Sequence, residues 1–119
     1  MKKRILVVDD EQDIVSMLRM RLEAAGYEVS TASDGEEGLA RATEAPPDLM
    51  ILDILMPKMD GIAMSDALKK NPRTRNIPVL FLTALKRQSD GGASGPNLIF
   101  SKPFSGGELT EKISEILGT

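Results

Sequence analysis

Three aspartates, a threonine and a lysine stand where their side chains could carry chemistry. Asp9 and Asp10 follow the apolar run "RILVV", and Asp53 ends "DLMILD". Thr83 lies near the end of "PVLFLTA", and Lys102 follows "NLIFS". The 119 residues contain no histidine and no cysteine. That excludes thiol nucleophiles, disulfides and zinc thiolates, together with the commonest general base and transition-metal ligand. Covalent or metal chemistry therefore rests on carboxylates, hydroxyls and lysines. Carboxylates gathered within a few ångströms repel and raise one another's pKa unless a cation neutralises them. A donor set of oxygens alone suits Mg²⁺, with Mn²⁺ a plausible substitute. Lys102 and Thr83 would then supply a positive charge and a hydroxyl donor to the equatorial oxygens of a phosphoryl group. An aspartate can itself be the nucleophile, forming an aspartyl phosphate. A carboxylate at the end of the chain's most apolar strand has little other use, so Asp53 is the expected phosphoacceptor.

These five residues need a scaffold that brings separate segments to one edge. The apolar pattern alternates between strand and helix periods. "RILVV" (4–8) reads as a buried strand, and Ile14, Leu18, Leu22 and Ala25 follow at helical spacing before Gly26. "YEVSTA" is a second strand, "DGEEGLARATEA" a helix ending before Pro46, and "DLMILD" a third strand. Residues 62–70 read as a helix with Ile62, Ala67 and Leu68 inward. "PVLFLTA" and "NLIFS" are the fourth and fifth strands. The last helix lies in "SGGELTEKISEILG", with Leu109, Ile113, Ile116 and Leu117 on one stripe. Such alternation predicts an α/β fold with a parallel sheet covered on both faces. In such sheets ligands bind outside the carboxyl ends of the strands, where all five polar residues fall. Residues 86–97 interrupt the pattern with Gly91, Gly92, Gly95 and Pro96. Each is unfavourable in a helix by roughly 1 to 3 kcal/mol. A shortened or irregular fourth helix is expected there.

Composition narrows the class further. The chain fits one domain, 1–119, without a linker or low-complexity tract. Hydrophobic residues make up 41% and charged residues 28%, as in ordinary soluble proteins. No apolar run approaches the ~20 residues of a membrane helix, and Asp9 ends the only signal-like run, so a cytoplasmic address is expected. The net charge of −3 offers no footprint for nucleic acid. Taken singly, each polar residue has an ordinary role. Asp9 and Asp10 suit the positive N-terminus of the first helix, Thr83 can satisfy its own strand, and Lys102 can be a solvated turn residue. Their convergence is what points to a site.

The residues reached so far resemble the receiver domain of two-component response regulators, the chemotaxis-regulator type included. The matching motifs are "ILVVDDE", "LMILDILMPKMDG", "PVLFLTA" and "SKPF", in that order and at compatible spacing over residues 3–118. The resemblance implies a flavodoxin-like, doubly wound sheet of five strands in order 2-1-3-4-5. It implies phosphorelay signal transduction, in which a sensor histidine kinase or histidine phosphotransfer protein donates a phosphoryl group to Asp53. Asp10, Asp53 and the backbone carbonyl of Leu55 would bind Mg²⁺ directly, and Asp9 mainly through a metal-bound water. Thr83 would hydrogen-bond the phosphoryl group, Lys102 would pair with it, and Lys102-Pro103 would be cis. The domain would assist only its own phosphorylation and dephosphorylation and would not be an enzyme in the turnover sense. It would act as a monomer or weak phosphorylation-dependent dimer on an unknown downstream protein, without touching nucleic acid or membrane.

Two departures bear on the readout. Counting back from Lys102, the usual switch aromatic position holds Ile99, and Phe100 is one residue later on the alternate side. The Gly-rich 86–97 segment removes part of the ordinary output surface. Leu55 and Leu85 are apolar at positions that in the family influence dephosphorylation. With little there to position a water, the phosphoryl group is expected to be long-lived. A hydrolysis time course showing complete loss within seconds would contradict this. Three rival readings remain at this stage. A receiver-like interaction module that has lost phosphorylation is compatible with the altered 86–97 segment. A Mg²⁺-dependent phosphohydrolase would carry Asp-x-Asp after the first strand, where this chain has adjacent acids. A flavin module would need a Ser/Thr/Gly-rich phosphate loop where "DDEQD" stands.

Overall fold

The computed structural model describes residues 2–53, 61–83, 98–101 and 106–118. Among the described residues five short strands and four helices follow in chain order, beginning with β1 (Arg4–Val8), α1 (Gln12–Ala24), β2 (Glu28–Ala32), α2 (Gly35–Glu44), β3 (Leu49–Asp53) and α3 (Gly61–Lys69). They are followed by β4 (Val79–Thr83), β5 (Leu98–Ser101) and α4 (Gly106–Leu117). Every strand pairing is parallel. The first four strands lie in the order β2-β1-β3-β4, and the short β5 pairs with β4 at the edge. Strand-to-strand crossovers through helices leave β1 and β3 as neighbours, with Val8 opposite Leu52.

Alternation along each strand divides the core into two layers. Ile5 and Val7 of β1, Leu49 and Ile51 of β3, and Leu80 and Leu82 of β4 point to one side, where Val15, Leu18 and Leu22 of α1 and Leu109 and Ile113 of α4 cover them. Leu6, Val8, Met50, Leu52, Val79 and Phe81 point to the other, against Ala42 of α2 and Met64 and Leu68 of α3. A strand buried on both faces has no polar side to show, and β3 is buried along its whole length. Among the described residues no helix is long and apolar enough to cross a membrane.

One inward assignment is corrected by the structure. Ile62 is 48% exposed, whereas Met64 and Leu68, four residues apart, face the sheet. At about 100° per residue Ile62 lies about 200° from Met64, so the two cannot share a face. In α1 the buried stripe is Val15, Leu18 and Leu22, with Ile14 packed against it and partly buried. Ala25 falls beyond the last turn and is exposed. The stop itself comes from Gly26, whose φ of 99° is the left-handed conformation that glycine tolerates best. The expected shortened or irregular helix within 86–97 lies outside the described residues.

Helix α2 begins with reciprocal capping. The Asp34 carboxylate accepts from the Glu37 N–H at 2.8 Å. Glu37 Oε1 in turn accepts from the Ser33 N–H at 2.9 Å and from its hydroxyl at 3.0 Å. The bond from the Ser33 backbone, then that from its hydroxyl, then Arg41 hold the Glu37 carboxyl below its ordinary value of 4.5. A carboxylate whose folded pKa is lowered stabilises the protein above its unfolded value, and that stabilisation is lost as pH falls through the folded value. The Glu37 side chain is 38% exposed, so solvent screening keeps the contribution modest. Glu37→Gln is expected to cost about 0.5 kcal/mol at pH 7. The gap to wild type should close as urea denaturation is repeated below pH 4.5. A gap unchanged at pH 3 would rule out the charged cap as its source.

One turn further, Gly38 is where α2 meets both β1 and α3. A Cβ there would lie 2.7 Å from Val8 Cγ2 and 2.8 Å from Met64 Cε. The methionine tip can move, but the β-branched Val8 has few rotamers. Gly38→Val is expected to destabilise by about 1–3 kcal/mol through overpacking. The measurement is the midpoint of chemical denaturation, and a midpoint at or above wild type would refute the packing argument.

Candidate functional site

The site begins with the parallel register of β1 and β3. Neighbouring strands lie about 4.8 Å apart, so residues at equal height along them come close. Val8 is opposite Leu52, and the next step of both chains therefore brings Asp9 beside Asp53 at the carboxyl edge. Asp10 follows where the chain leaves the sheet for α1. Carboxylate oxygens of Asp9, Asp10 and Asp53 all lie within 4.8 Å of one another. Asp9 is fully buried and Asp53 is 4% exposed, while Asp10 faces solvent.

Backbone groups hold Asp9 in place. Its N–H donates to Ala32 O at 3.2 Å, extending the β1–β2 ladder by one step. The Glu11 N–H donates to Asp9 Oδ1 at 2.9 Å, which ties one oxygen to the entrance of α1. Neither bond was legible in the sequence, because both depend on where the chain turns after β1. The N-cap Glu11 itself makes no side-chain capping bond. Favouring the α1 N-terminus therefore accounts for one oxygen of Asp9 and leaves the three-carboxylate cluster to be explained.

At a separation of 4.8 Å two full charges repel by roughly 3 kcal/mol at an effective dielectric constant near 20. An arrangement of three at that range is suited to receiving positive charge. Its three carboxylate donors are all oxygen, and their number leaves room for water and a phosphate oxygen. The cluster therefore fits Mg²⁺.

The remaining candidates approach along the other half of the sheet. Asp53 is opposite Leu82, so Thr83 ends β4 one step beyond it. Thr83 is opposite Ser101, and Lys102 is the residue that follows β5. The backbone thus brings Asp9, Asp10, Asp53 and Thr83 to one edge. The Thr83 side chain, Leu55, Lys102 and Pro103 lie outside the described residues, as do Leu85 and the side chains of Ile99 and Phe100.

Comparison with known proteins gives a consistent picture. The family description "Response regulator receiver domain" matches residues 5–114. The alkaline phosphatase synthesis transcriptional regulatory protein PhoP of Bacillus subtilis is 43% identical over 120 residues, covering 98% of this chain and 49% of that protein. The response regulator PleD of Caulobacter vibrioides is 46% identical over 107 residues, covering 87% of this chain and 24% of PleD. The chain thus spans about half the length, or less, of these relatives. Among solved structures, the chemotaxis protein CheY4 of Vibrio cholerae superposes with a TM-score of 0.88 at 34% identity, covering 98% of this chain and all of that one. The receiver domain of a sensor histidine kinase from Pseudomonas aeruginosa PAO1, solved with a magnesium ion coordinated in its active site cleft, superposes with a TM-score of 0.89 at 25% identity, each chain fully covered.

Proposed function

Because this chain belongs to the response regulator receiver domain family, we propose that it forms one receiver domain that accepts a phosphoryl group on Asp53 from a partner phosphohistidine. The observation that carries this reading is the approach of Asp9, Asp10 and Asp53 within 4.8 Å at the carboxyl edge of the sheet. The donor is a sensor histidine kinase or a histidine phosphotransfer protein. An Asp53 carboxylate oxygen attacks phosphorus in line, a new O–P bond forms, and the P–N bond to the donor imidazole breaks. The imidazole nitrogen keeps the bonding electron pair and leaves as a neutral ring once protonated.

Asp10, Asp53 and the Leu55 carbonyl would hold Mg²⁺, with Asp9 acting through water. When bound, the cation neutralises the carboxylates and the charge on the phosphoryl oxygens. Asp9, fixed by the Glu11 N–H, keeps the cluster's geometry from one side. Thr83 donates its hydroxyl to a phosphoryl oxygen, and Lys102 pairs with another. The new charge of about −1.5 to −2 biases a two-state arrangement of loop and sheet face, which a downstream protein reads. The chain is accordingly a cytoplasmic signalling domain that contacts protein, not nucleic acid or membrane. It assists only its own phosphorylation and dephosphorylation.

The direct test is incubation with a histidine phosphotransfer protein carrying labelled phosphohistidine. Label is expected to move to the wild-type chain and not to Asp53→Ala. Release of inorganic phosphate without label on the chain would favour a phosphohydrolase. No transfer from any phosphohistidine donor would leave an interaction module as the better account.

A further inference from the structure

Residues 67–89 contain no aspartate or glutamate, and the stretch "LKKNPRTRN" within them carries Lys69, Lys70, Arg73 and Arg75. All four are exposed, at the end of α3 and in the turn that leads to β4. That turn is held in one shape. Thr74, between the two arginines, is 1% exposed, and its hydroxyl donates to Leu68 O at 2.7 Å. Asn71 Oδ1 accepts from the Arg73 N–H at 2.9 Å. Asn71 O accepts from the N–H groups of Thr74 and Arg75 at 3.0 and 2.9 Å. Pro72 restricts the backbone further. With Thr74 anchored inward, Arg73 and Arg75 stand out on either side of it, and Lys70 precedes them.

The fold itself accounts for part of this charge. A helix C-terminus carries about half a negative charge, which Lys69 in the last turn of α3 offsets. Arg73 also reaches back to α2, its guanidinium donating to Glu44 O at 3.4 Å. The ion pairs among the described residues, Arg19–Glu23, Arg41–Glu37 and Lys112–Glu115, use none of the four cations. Asp66, exposed one turn earlier, is the nearest acid in sequence. Lys70 and Arg75 thus stay uncompensated on a chain whose net charge is −3. The turn lies at the opposite end of the five-residue β4 from Thr83, about 16 Å away along the strand. An occupant there leaves the carboxylate cluster open. Guanidinium forks pair with carboxylates through two parallel hydrogen bonds, and a turn that already holds them loses little freedom on doing so. Tight binding of a nucleic-acid duplex draws on about 6–10 phosphate contacts, more than this short patch on an acidic chain supplies. We propose that the 69–76 turn binds an acidic segment of a partner protein, whose carboxylates pair with Lys70, Arg73 and Arg75. This surface is independent of Asp53 and of the phosphoryl chemistry.

Titration of the full chain with an octaglutamate peptide, followed by amide chemical shifts, tests this. The largest shifts are expected within 69–76, and they should vanish at about 1 M salt, where the Debye length is about 3 Å. Lys70→Glu/Arg75→Glu should weaken binding about tenfold. Lys2→Glu/Lys3→Glu makes the same change in net charge at two other exposed positions and should leave the affinity within about twofold of wild type. Circular dichroism melting curves establish that both variants are folded. Absence of shifts in 69–76 would overturn the proposal, as would equal weakening by the two double variants, which would reduce the effect to net charge. A duplex DNA fragment that binds the turn more tightly than octaglutamate at the same salt would overturn it too, and would assign the patch to nucleic acid.

Discussion

Millimolar Mg²⁺ is expected to raise the melting temperature of the wild-type protein and to leave that of Asp53→Asn nearly unchanged. Binding to the folded state alone adds about 2.7 kcal/mol when the cation is at 100 times its dissociation constant. For a chain of this length that corresponds to roughly 10 °C. Without divalent cations the order should reverse. Two of the three carboxylates are buried, and removing the Asp53 charge relieves repulsion from Asp9 and Asp10. Asp53→Asn is therefore expected to be more stable than wild type by about 1–2 kcal/mol in a chelating buffer. The crossing of the two curves as Mg²⁺ is added is the diagnostic feature. Equal Mg²⁺ responses in the two proteins would show that the cation binds elsewhere.

The second large effect is on phosphoryl uptake from acetyl phosphate. Lys102→Ala is expected to slow it by about 10²–10³-fold, the usual cost of removing one group that stabilises developing charge. Thr83→Ala should matter less to uptake and more to the consequence of phosphorylation, since a hydroxyl donor can be replaced by water. The two substitutions therefore separate chemistry from switching. Initial rates measure the first, and the change in amide chemical shifts on phosphorylation measures the second. Lys102→Ala at the wild-type rate would remove that lysine from the site.

Much of this arrangement could be read before the structure, for a physical reason. Parallel strands joined by helices bring all their carboxyl ends to one edge, so residues at the ends of "RILVV" and "DLMILD" had to approach if those strands were neighbours. Asp53 was conspicuous because it closed an otherwise apolar segment. The neighbour relation of β1 and β3 was different in kind. Hydrophobic alternation identifies strands but not their order, which came from the family resemblance. Surface faces of short helices were the least legible. Ile62 looked inward on hydrophobicity alone, yet only Met64 and Leu68 have the i, i+4 spacing that meets the sheet.

Other features had no sequence signature at all. The Glu11 N–H that orients Asp9 is a backbone group, and its direction follows from the turn into α1. The close approach at Gly38 depends on the distance between α2 and two other elements. The reciprocal bonds of Ser33, Asp34 and Glu37 follow a known capping logic, but their geometry depends on how the chain turns from β2 into α2.

The central claim is that Asp53 is the phosphoacceptor of a carboxylate-bound cation site. Intact-protein mass spectrometry after incubation with acetyl phosphate, with and without Mg²⁺ and beside Asp53→Ala, tests it most directly. One added phosphoryl group that requires both Mg²⁺ and Asp53 is the predicted result. No adduct under any condition, or an adduct of the same extent on Asp53→Ala, would contradict it.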